Sequence, residues 1–341
     1  MTGSRKKQMA TAALVVGLAL LLSGCAHTHL PQDSLNNQGP YAAKENHLFW
    51  PVFWIAVAVF VLVQGLLITA IFKFRHKPGN PMPKQIHGNK RMELGWTIAP
   101  ALLLAGIAVP TVTTIFALAQ RPAGQVLDVS VTGHQWWWEV NYPGTGVVTA
   151  NEIHIPTNEP VSINITSVDV IHSFWVPELA GKQDLEPGRL NHVLIEATHP
   201  GVYLGQCAEY CGTSHANMRF RVMAQTPADY QTWLKGQQQG PATAGGLAAQ
   251  GADVFVHGSW PLGACVGCHT IHGVSEGKIG PNLTHFGSRT TFAGAILRNT
   301  PANIAAWLRD PSAVKPGVDM PNLGLSPTEV RELVAYLESL Q

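Results

Sequence analysis

Two long apolar runs limit what this chain can fold into more than any other feature. Residues 48–72 and 95–118 are each long enough to cross a bilayer as a helix, which takes about 20 residues. The first run holds one strongly polar residue, Gln64, and the second holds no charge. Pro100 and Pro110 within the second are compatible with a membrane helix, where neighbouring groups satisfy the backbone they free. Between the runs, residues 73–91 carry Lys73, Arg75, Lys77, Lys84, Lys90 and Arg91 and no acid. A short loop so biased stays on the cytoplasmic side. The expected arrangement is a transmembrane hairpin within 25–120, with both flanking segments on the outer face. A hairpin buried in a soluble core fits neither the run lengths nor the basic loop.

The head of the chain fits export. Ser4-Arg-Lys-Lys7 precedes an apolar stretch from Ala12 to Leu22 and then Leu22-Ser-Gly-Cys25, the pattern of a signal peptide over 1–24. The Leu-Ser-Gly-Cys ending resembles a bacterial lipobox, which makes Cys25 the expected lipidated first residue of the mature chain. The alternative is an ordinary signal with an incidental cysteine. Charged residues are 13% of the chain and the net charge is +1, so there is no basic excess to bind a nucleic acid.

The outer part divides in two. From Val126, short β-rich segments (Val126–Thr132, Gln135–Val140, Ile153–Ile155, Val161–Ser167, His192–Glu196) alternate with Pro/Gly turns. That spacing predicts an all-β domain over 121–225. A short helical segment and an uncharged Gly/Gln/Ala-rich stretch follow, read together as a linker over 226–245. Residues 246–341 form a small helical unit. Its last helix is signalled by Ser326, Pro327 and Glu329 as cap, first position and capping box, and by the apolar positions Val330, Leu333, Val334, Leu337 and Leu340.

Two motifs carry chemistry. Residues 207–218 read Cys-Ala-Glu-Tyr-Cys-Gly-Thr-Ser-His-Ala-Asn-Met, two thiols, an imidazole and a thioether within twelve residues. Soft donors of this kind select copper over magnesium or calcium. Two thiolates four apart could bridge two ions, and His172 is the best upstream second imidazole. A Cys207–Cys211 disulfide and a Cys/Cys/His zinc site are the alternatives. In the tail, Cys265-Val-Gly-Cys268-His269 is the pattern of covalent c-type haem attachment, with His269 as one axial ligand. Met320, the single methionine after Met223, is the candidate for the other, a thioether that would raise the potential. A redox-active dithiol and a zinc half-site are the alternatives here, and His272 and His285 are rival ligands.

The loop Cys-x-Glu-x-Cys-Gly-x-x-His-x-x-Met resembles the copper A loop of cytochrome c oxidase subunit II. Gly133-His-Gln-Trp-Trp-Trp-Glu139 resembles that family's aromatic segment, and Val168–Asn191 its histidine-bearing strand. Residues 246–341, with Ile279-Gly-Pro-Asn282, resemble a class I cytochrome c. The resemblance implies a multidomain membrane protein: a two-helix transmembrane hairpin, an all-β cupredoxin-like Greek-key domain and an all-α cytochrome c domain. It implies a dinuclear copper A in which Cys207 and Cys211 bridge, His172 and His215 cap one copper each, and Met218 and the Glu209 carbonyl complete the set. The Glu209 carboxylate would touch a magnesium shared with subunit I. Trp136 corresponds to the aromatic that accepts electrons, with plain packing as its alternative. Glu93 corresponds to an acid at the mouth of a proton path, with a solvated interfacial acid as its alternative. His134, His154, His192 and His199 are expected to pack or face solvent.

The implied function is the electron-relay subunit of a caa-type haem–copper oxidase in a bacterial inner membrane. Electrons would pass from a donor cytochrome c through haem c and copper A to subunit I, where oxygen is reduced and protons are pumped. Subunits I and III and membrane lipid are the implied partners. The copper domain's five bases against ten acids would suit a basic donor. The rival readings are a subunit of a copper-A-containing nitric oxide reductase and a membrane-tethered electron carrier with no catalytic partner.

Overall fold

The computed structural model describes residues 12, 15–17, 30–75, 78–79, 81–82, 84–258 and 264–341. Apart from residues 12 and 15–17, the signal region falls outside the described residues, as do Cys25 and Lys77 of the basic loop. Helix α1 spans Pro40–Lys73 and α2 spans Lys90–Ala119, and the two pack against each other. Their apolar windows have mean hydropathies of 2.7 and 2.1 and none of either window is buried within the chain. A helix that is apolar all round and unburied by its own chain is built for lipid or for other membrane helices. The outer end of α1 is different. Tyr41, Ala42 and Asn46 are buried, the Ala42 N–H donates to the Leu179 carbonyl, and the Glu45 carboxylate accepts from the Gly181 N–H. The first turns of α1 thus seat the hairpin on the domain that follows.

That domain is a sandwich of two five-stranded sheets. β1 (Leu127–His134), β2 (Trp137–Tyr142), β3 (Val147–Ala150), β5 (Val161–Ser167) and β8 (Asn191–Ile195) make one, in the order β3-β2-β1-β5-β8. β4 (Glu152–Pro156), β6 (His172–Trp175), β7 (Gln183–Leu185), β9 (Gly201–Cys207) and β10 (Arg219–Gln225) make the other, in the order β4-β10-β9-β6-β7. Parallel pairs β1–β5 and β4–β10 tie distant parts of the chain together. Alternate side chains point inward: Val129 and Val131 of β1 and Ile163 and Ile165 of β5 are fully buried. Trp138, Phe174 and Phe220 close the core at one end, with Phe174 and Phe220 stacked 4.5 Å apart.

Helix α3 (Pro227–Gln237) occupies the first half of the segment read as linker. Its Thr226 cap and Pro227 start it, Tyr230 is buried in the sandwich core, and Trp233 stacks on His154 with ring centres 4.0 Å apart. The expected short helix is therefore present, and its aromatic residues anchor it to the sandwich. The tail holds α4 (Leu247–His257), α5 (Pro301–Arg309), the short α6 (Pro311–Val314) and α7 (Pro327–Ser339), with the two-stranded ribbons β11 (Thr270–Ile271)–β12 (Ser275–Glu276) and β13 (Thr291–Phe292)–β14 (Leu297–Arg298). α4 crosses α7 closely, and the expected capping box is present, with the Ser326 hydroxyl and Glu329 carboxylate each accepting the other's backbone N–H. The tail unit rests directly on the sandwich, through Thr290, Thr291, Gly294 and Lys315.

Candidate copper and haem sites

The end of β9, the 3-10 turn His215–Asn217 and the start of β10 bend the 207–218 segment into a compact loop under β6. Cys207 Sγ lies 3.8 Å from Cys211 Sγ, 3.8 Å from His172 Nδ1 and 3.2 Å from the Glu209 carbonyl oxygen. Cys211 Sγ lies 3.6 Å from His215 Nδ1 and 3.8 Å from Met218 Sδ. The six residues expected as donors therefore meet at one place, each sulfur with its own imidazole. Among the described residues, the ligand atoms of His172, Cys207 and Cys211 all lie within 4.8 Å of one another. The donor set fits copper: two unbonded thiols at the centre, imidazoles flanking, a thioether at the margin and no carboxylate between them. Hydrogen bonding between the thiols holds Cys207 down at about 4, despite burial, with His172 also favouring the thiolate. The thiolate so formed pushes Cys211 up.

His172 is set by two partners that the motif alone does not show. Its Nε2 lies 2.8 Å from the Asp169 carboxylate, which leaves Nδ1 facing the sulfurs. Burial opposes its charged form, but the Cys207 sulfur and Asp169 outweigh it and its pKa rises. A Cβ on Gly133 would lie 2.7 Å from the His172 ring, so glycine at the start of the aromatic segment makes room for the imidazole. The Glu209 side chain is exposed at the loop surface. Of the other histidines, His134 stacks on Trp137 and His154 on Trp233, while His192 and His199 are exposed.

The second site is a cleft in the tail. Cys265, Cys268, His269, Ile279, Pro281, Phe286, Trp307 and Met320 are among the residues that line it. His269 Nδ1 donates to the Pro281 carbonyl at 2.9 Å, which leaves Nε2 free to hold a metal. A Cβ on Gly280 would lie 2.5 Å from that ring, so the 279–282 loop supports the imidazole through a glycine. Burial lowers the His269 pKa, keeping the ring neutral as a ligand must be. Across the cleft the Trp307 indole N–H donates to Met320 Sδ at 3.1 Å. His272 and His285 do not line the cleft, and His285 Nε2 is spent on the Gln237 carbonyl. Arg289 is buried in the wall; its Nη2 donates to the Asn282 carbonyl, its Nε has no partner, and burial brings its pKa down to about 10 while the Glu152 carboxylate opposes the fall. Apolar walls, a thiol pair, a free imidazole lone pair and a thioether together fit a haem.

The two sites share a wall. Gln135, Trp136, Trp137 and Asn151 of the sandwich line the haem cleft. Trp136 is 8% exposed, and its indole N–H donates to the Cys211 carbonyl at 3.0 Å. One side chain thus separates the haem cleft from the backbone of a copper-loop cysteine. Sequence reasoning missed Asp169, Arg289, Glu152 and Lys315. Asp169, three residues before His172, is the one whose position gave a signal. At the far end of the chain's hairpin, the Glu93 carboxylate accepts from the Asn89 N–H and caps α2.

Fold and sites define a class, a membrane-anchored subunit with a cupredoxin-like copper domain and a cytochrome c domain. Comparison with known proteins agrees. Residues 32–114 match the family model for the transmembrane domain of cytochrome c oxidase subunit II, residues 145–225 that for its periplasmic domain, and residues 248–341 that for cytochrome c. The chain is 38% identical over 339 residues to the cytochrome c oxidase subunit 2 of Alkalihalophilus pseudofirmus, covering 95% of each chain. It is 35% identical over 347 residues to that of Bacillus sp. (strain PS3), again covering 95% of each. A crystal structure of the periplasmic domain of subunit II of cytochrome oxidase from Bradyrhizobium japonicum aligns at 28% identity and a TM-score of 0.33, over 36% of this chain and 97% of that one. The chain belongs to the cytochrome c oxidase subunit II family, with a C-terminal cytochrome c domain. Its domains imply copper A and haem c, and its family implies a haem–copper oxidase complex in a membrane.

Proposed function

We propose that this chain is the electron-relay subunit of an oxygen-reducing, proton-translocating cytochrome c oxidase. The observation that carries the reading is Trp136, which walls the cleft of His269 and Met320 and hydrogen-bonds the backbone of Cys211. Cys265 and Cys268 hold haem c covalently, and His269 and Met320 bind its iron. Cys207, Cys211, His172, His215, Met218 and the Glu209 carbonyl would together hold copper A. When bound, these groups supply one-electron exchange, in the order donor cytochrome, haem c, copper A, subunit I. Asp169 orients His172, and the sandwich core holds the donors in place. Burial of Cys207, Cys211, Met218 and His172 excludes water from the copper loop. The exposed Glu209 carboxylate would share a magnesium with subunit I.

In the same reading the sandwich and tail lie on the periplasmic side of a bacterial inner membrane, Cys25 carries lipid, and subunits I and III are partners. Glu93 feeds a proton path from the cytoplasmic side besides capping α2. Affinity purification of the full chain in mild detergent tests the whole. The expected result is a complex with further haems in a partner that consumes oxygen with reduced cytochrome c and acidifies the outside of vesicles. A complex that instead consumes nitric oxide, or a chain that purifies with no haem-bearing partner, overturns the reading.

A further inference from the structure

The tail unit does not hang from its linker. It is seated on the sandwich by polar contacts from which water is excluded. Glu152, on β4, is 2% exposed, and its carboxylate accepts from the Thr290 N–H at 3.0 Å, the Thr291 N–H at 2.8 Å, the Thr291 hydroxyl at 2.9 Å and the Thr290 hydroxyl. Lys315, also 2% exposed, donates its ammonium to the carbonyls of Trp136 and Ala293. The Arg219 N–H donates to the Gly294 carbonyl at 3.0 Å, so the first residue of β10 hydrogen-bonds the tail.

Two glycines of the tail make this fit possible. Gly294 has φ +76°, and a Cβ there would lie 2.5 Å from the Asn217 carbonyl oxygen and 2.6 Å from Lys315 Nζ. Gly317 has φ +83°, and a Cβ there would press on the Trp136 ring at 3.1 Å. Both backbones therefore adopt a conformation that side chains resist, at the points where the other domain needs the space. A loose tether asks for none of this. Taking a carboxylate and a lysine amine out of water is costly, and burial brings Lys315 down to about 7; the cost is offset only where donors and acceptors are already in place.

We propose that Glu152 and Lys315 are positioning residues that lock the haem domain onto the copper domain, so that transfer from haem to copper occurs from one fixed pose and not by repeated capture on a flexible linker. The inference rests on the relay reading given above. Lys315 acts at the critical spot, since its acceptor is the carbonyl of the same Trp136 whose indole binds the Cys211 backbone. Glu152 acts at the other edge of the contact, where it stops the tail from pivoting. The lock also covers Trp136, which an external donor cytochrome then cannot reach; such a donor must deliver to the haem.

The test uses the assembled oxidase in detergent, in wild type and in the variants Glu152→Ala, Lys315→Met and both together. Haem c and the near-infrared copper A band are quantified first. Docking is read from protease cleavage within 239–246. The haem is then photoreduced in a flash, and copper reduction is followed at several solvent viscosities. Wild type should transfer at a rate independent of viscosity. The double variant should keep both cofactors, be cleaved faster, and transfer roughly tenfold or more slowly, as the competent pose becomes a minor one. Its rate should also fall as viscosity rises, which damage to a cofactor alone would not cause. Should that variant lose haem, Glu152→Gln on the copper domain carries the test, with a smaller slowing of the same kind. Wild-type rate and cleavage in the haem-loaded variants overturn the lock. A wild-type haem that never passes its electron to copper overturns the relay reading instead, and the cleavage rates still decide the lock.

Discussion

The copper loop and the haem cleft are built in opposite ways. The copper donors come from one twelve-residue segment and one neighbouring strand, held by a completed β-sandwich core whose Trp138, Phe174 and Phe220 are buried regardless of any metal. The haem donors lie some fifty residues apart, on loops around a cleft, and one wall of that cleft belongs to another domain. The first site is a finished scaffold that accepts ions. The second is an unfinished core that a large apolar group completes. The difference teaches where each domain is weakest: the sandwich core is closed, whereas the tail's core of Phe255, Ile304, Leu333 and Leu337 stops at an open cleft.

The strongest way to break this contrast is to deny the tail its haem. Cys265→Ala with Cys268→Ala should leave the cleft between His269 and Met320 without the group it would hold, and the tail should loosen and be degraded back to about residue 246, while the sandwich keeps its β circular dichroism and its copper. A tail that stays protease-resistant without haem would show that its own core suffices. The reciprocal loss is narrower. Cys207→Ser replaces a thiolate at the centre of the copper loop with a harder, far less acidic hydroxyl. It should abolish the mixed-valence copper signal and bring oxygen consumption close to zero, yet leave the sandwich folded and the haem attached and reducible. If the partner's haem is still reduced at the native rate, electrons bypass the copper.

A smaller change sharpens the comparison within the copper site. Asp169→Asn keeps the shape beside His172 but weakens the hold on its Nε2. Loss of such a partner typically costs about 10- to 100-fold in metal affinity. Competition with a copper chelator should read that range, with the thermal midpoint of the sandwich little altered. An unchanged affinity means that packing against Gly133 alone orients the ring. The smallest effect concerns Glu139, on β2, whose pKa is raised by burial, with Lys278 of the tail opposing. A carboxyl whose pKa is raised on folding contributes stability below its unfolded pKa, and that stability is lost as pH rises through the folded value. Glu139→Gln should therefore melt slightly higher than wild type at pH 7, by a few tenths of a kcal/mol in free energy for a group this exposed, and the gain should vanish at pH 4. A melting difference that does not depend on pH would assign the effect to packing.

Much of this architecture was legible locally. The hairpin followed from two runs and a basic loop, because in hydrocarbon a backbone must satisfy itself and length alone decides whether it spans. Strands near Val126–Thr132, Gln135–Val140 and Val161–Ser167 and the capped helix from Pro327 were readable because period and caps are short-range signals. The donors within 207–218 and around 265–269 were visible because chemistry fixes their spacing. The short helix before the Gly/Gln/Ala-rich stretch was readable too, but its anchoring was not, since Tyr230 and Trp233 have nothing in their own segment to announce that β4 and the core will receive them.

The sequence by itself determined the inventory: two membrane helices, a soft-donor loop, a c-type attachment motif, and the order in which they are strung. Only the tertiary structure decided how they meet. Glu152 and Thr290 are 138 residues apart, Trp136 and Lys315 are 179 apart, and Glu152, Thr290 and Lys315 belong to no motif. Each is an ordinary residue that acquires meaning when water is removed from between two folded surfaces. Periodicity and spacing record what a segment needs from its near neighbours; a buried charge facing another domain records a free energy that exists only once both surfaces have formed.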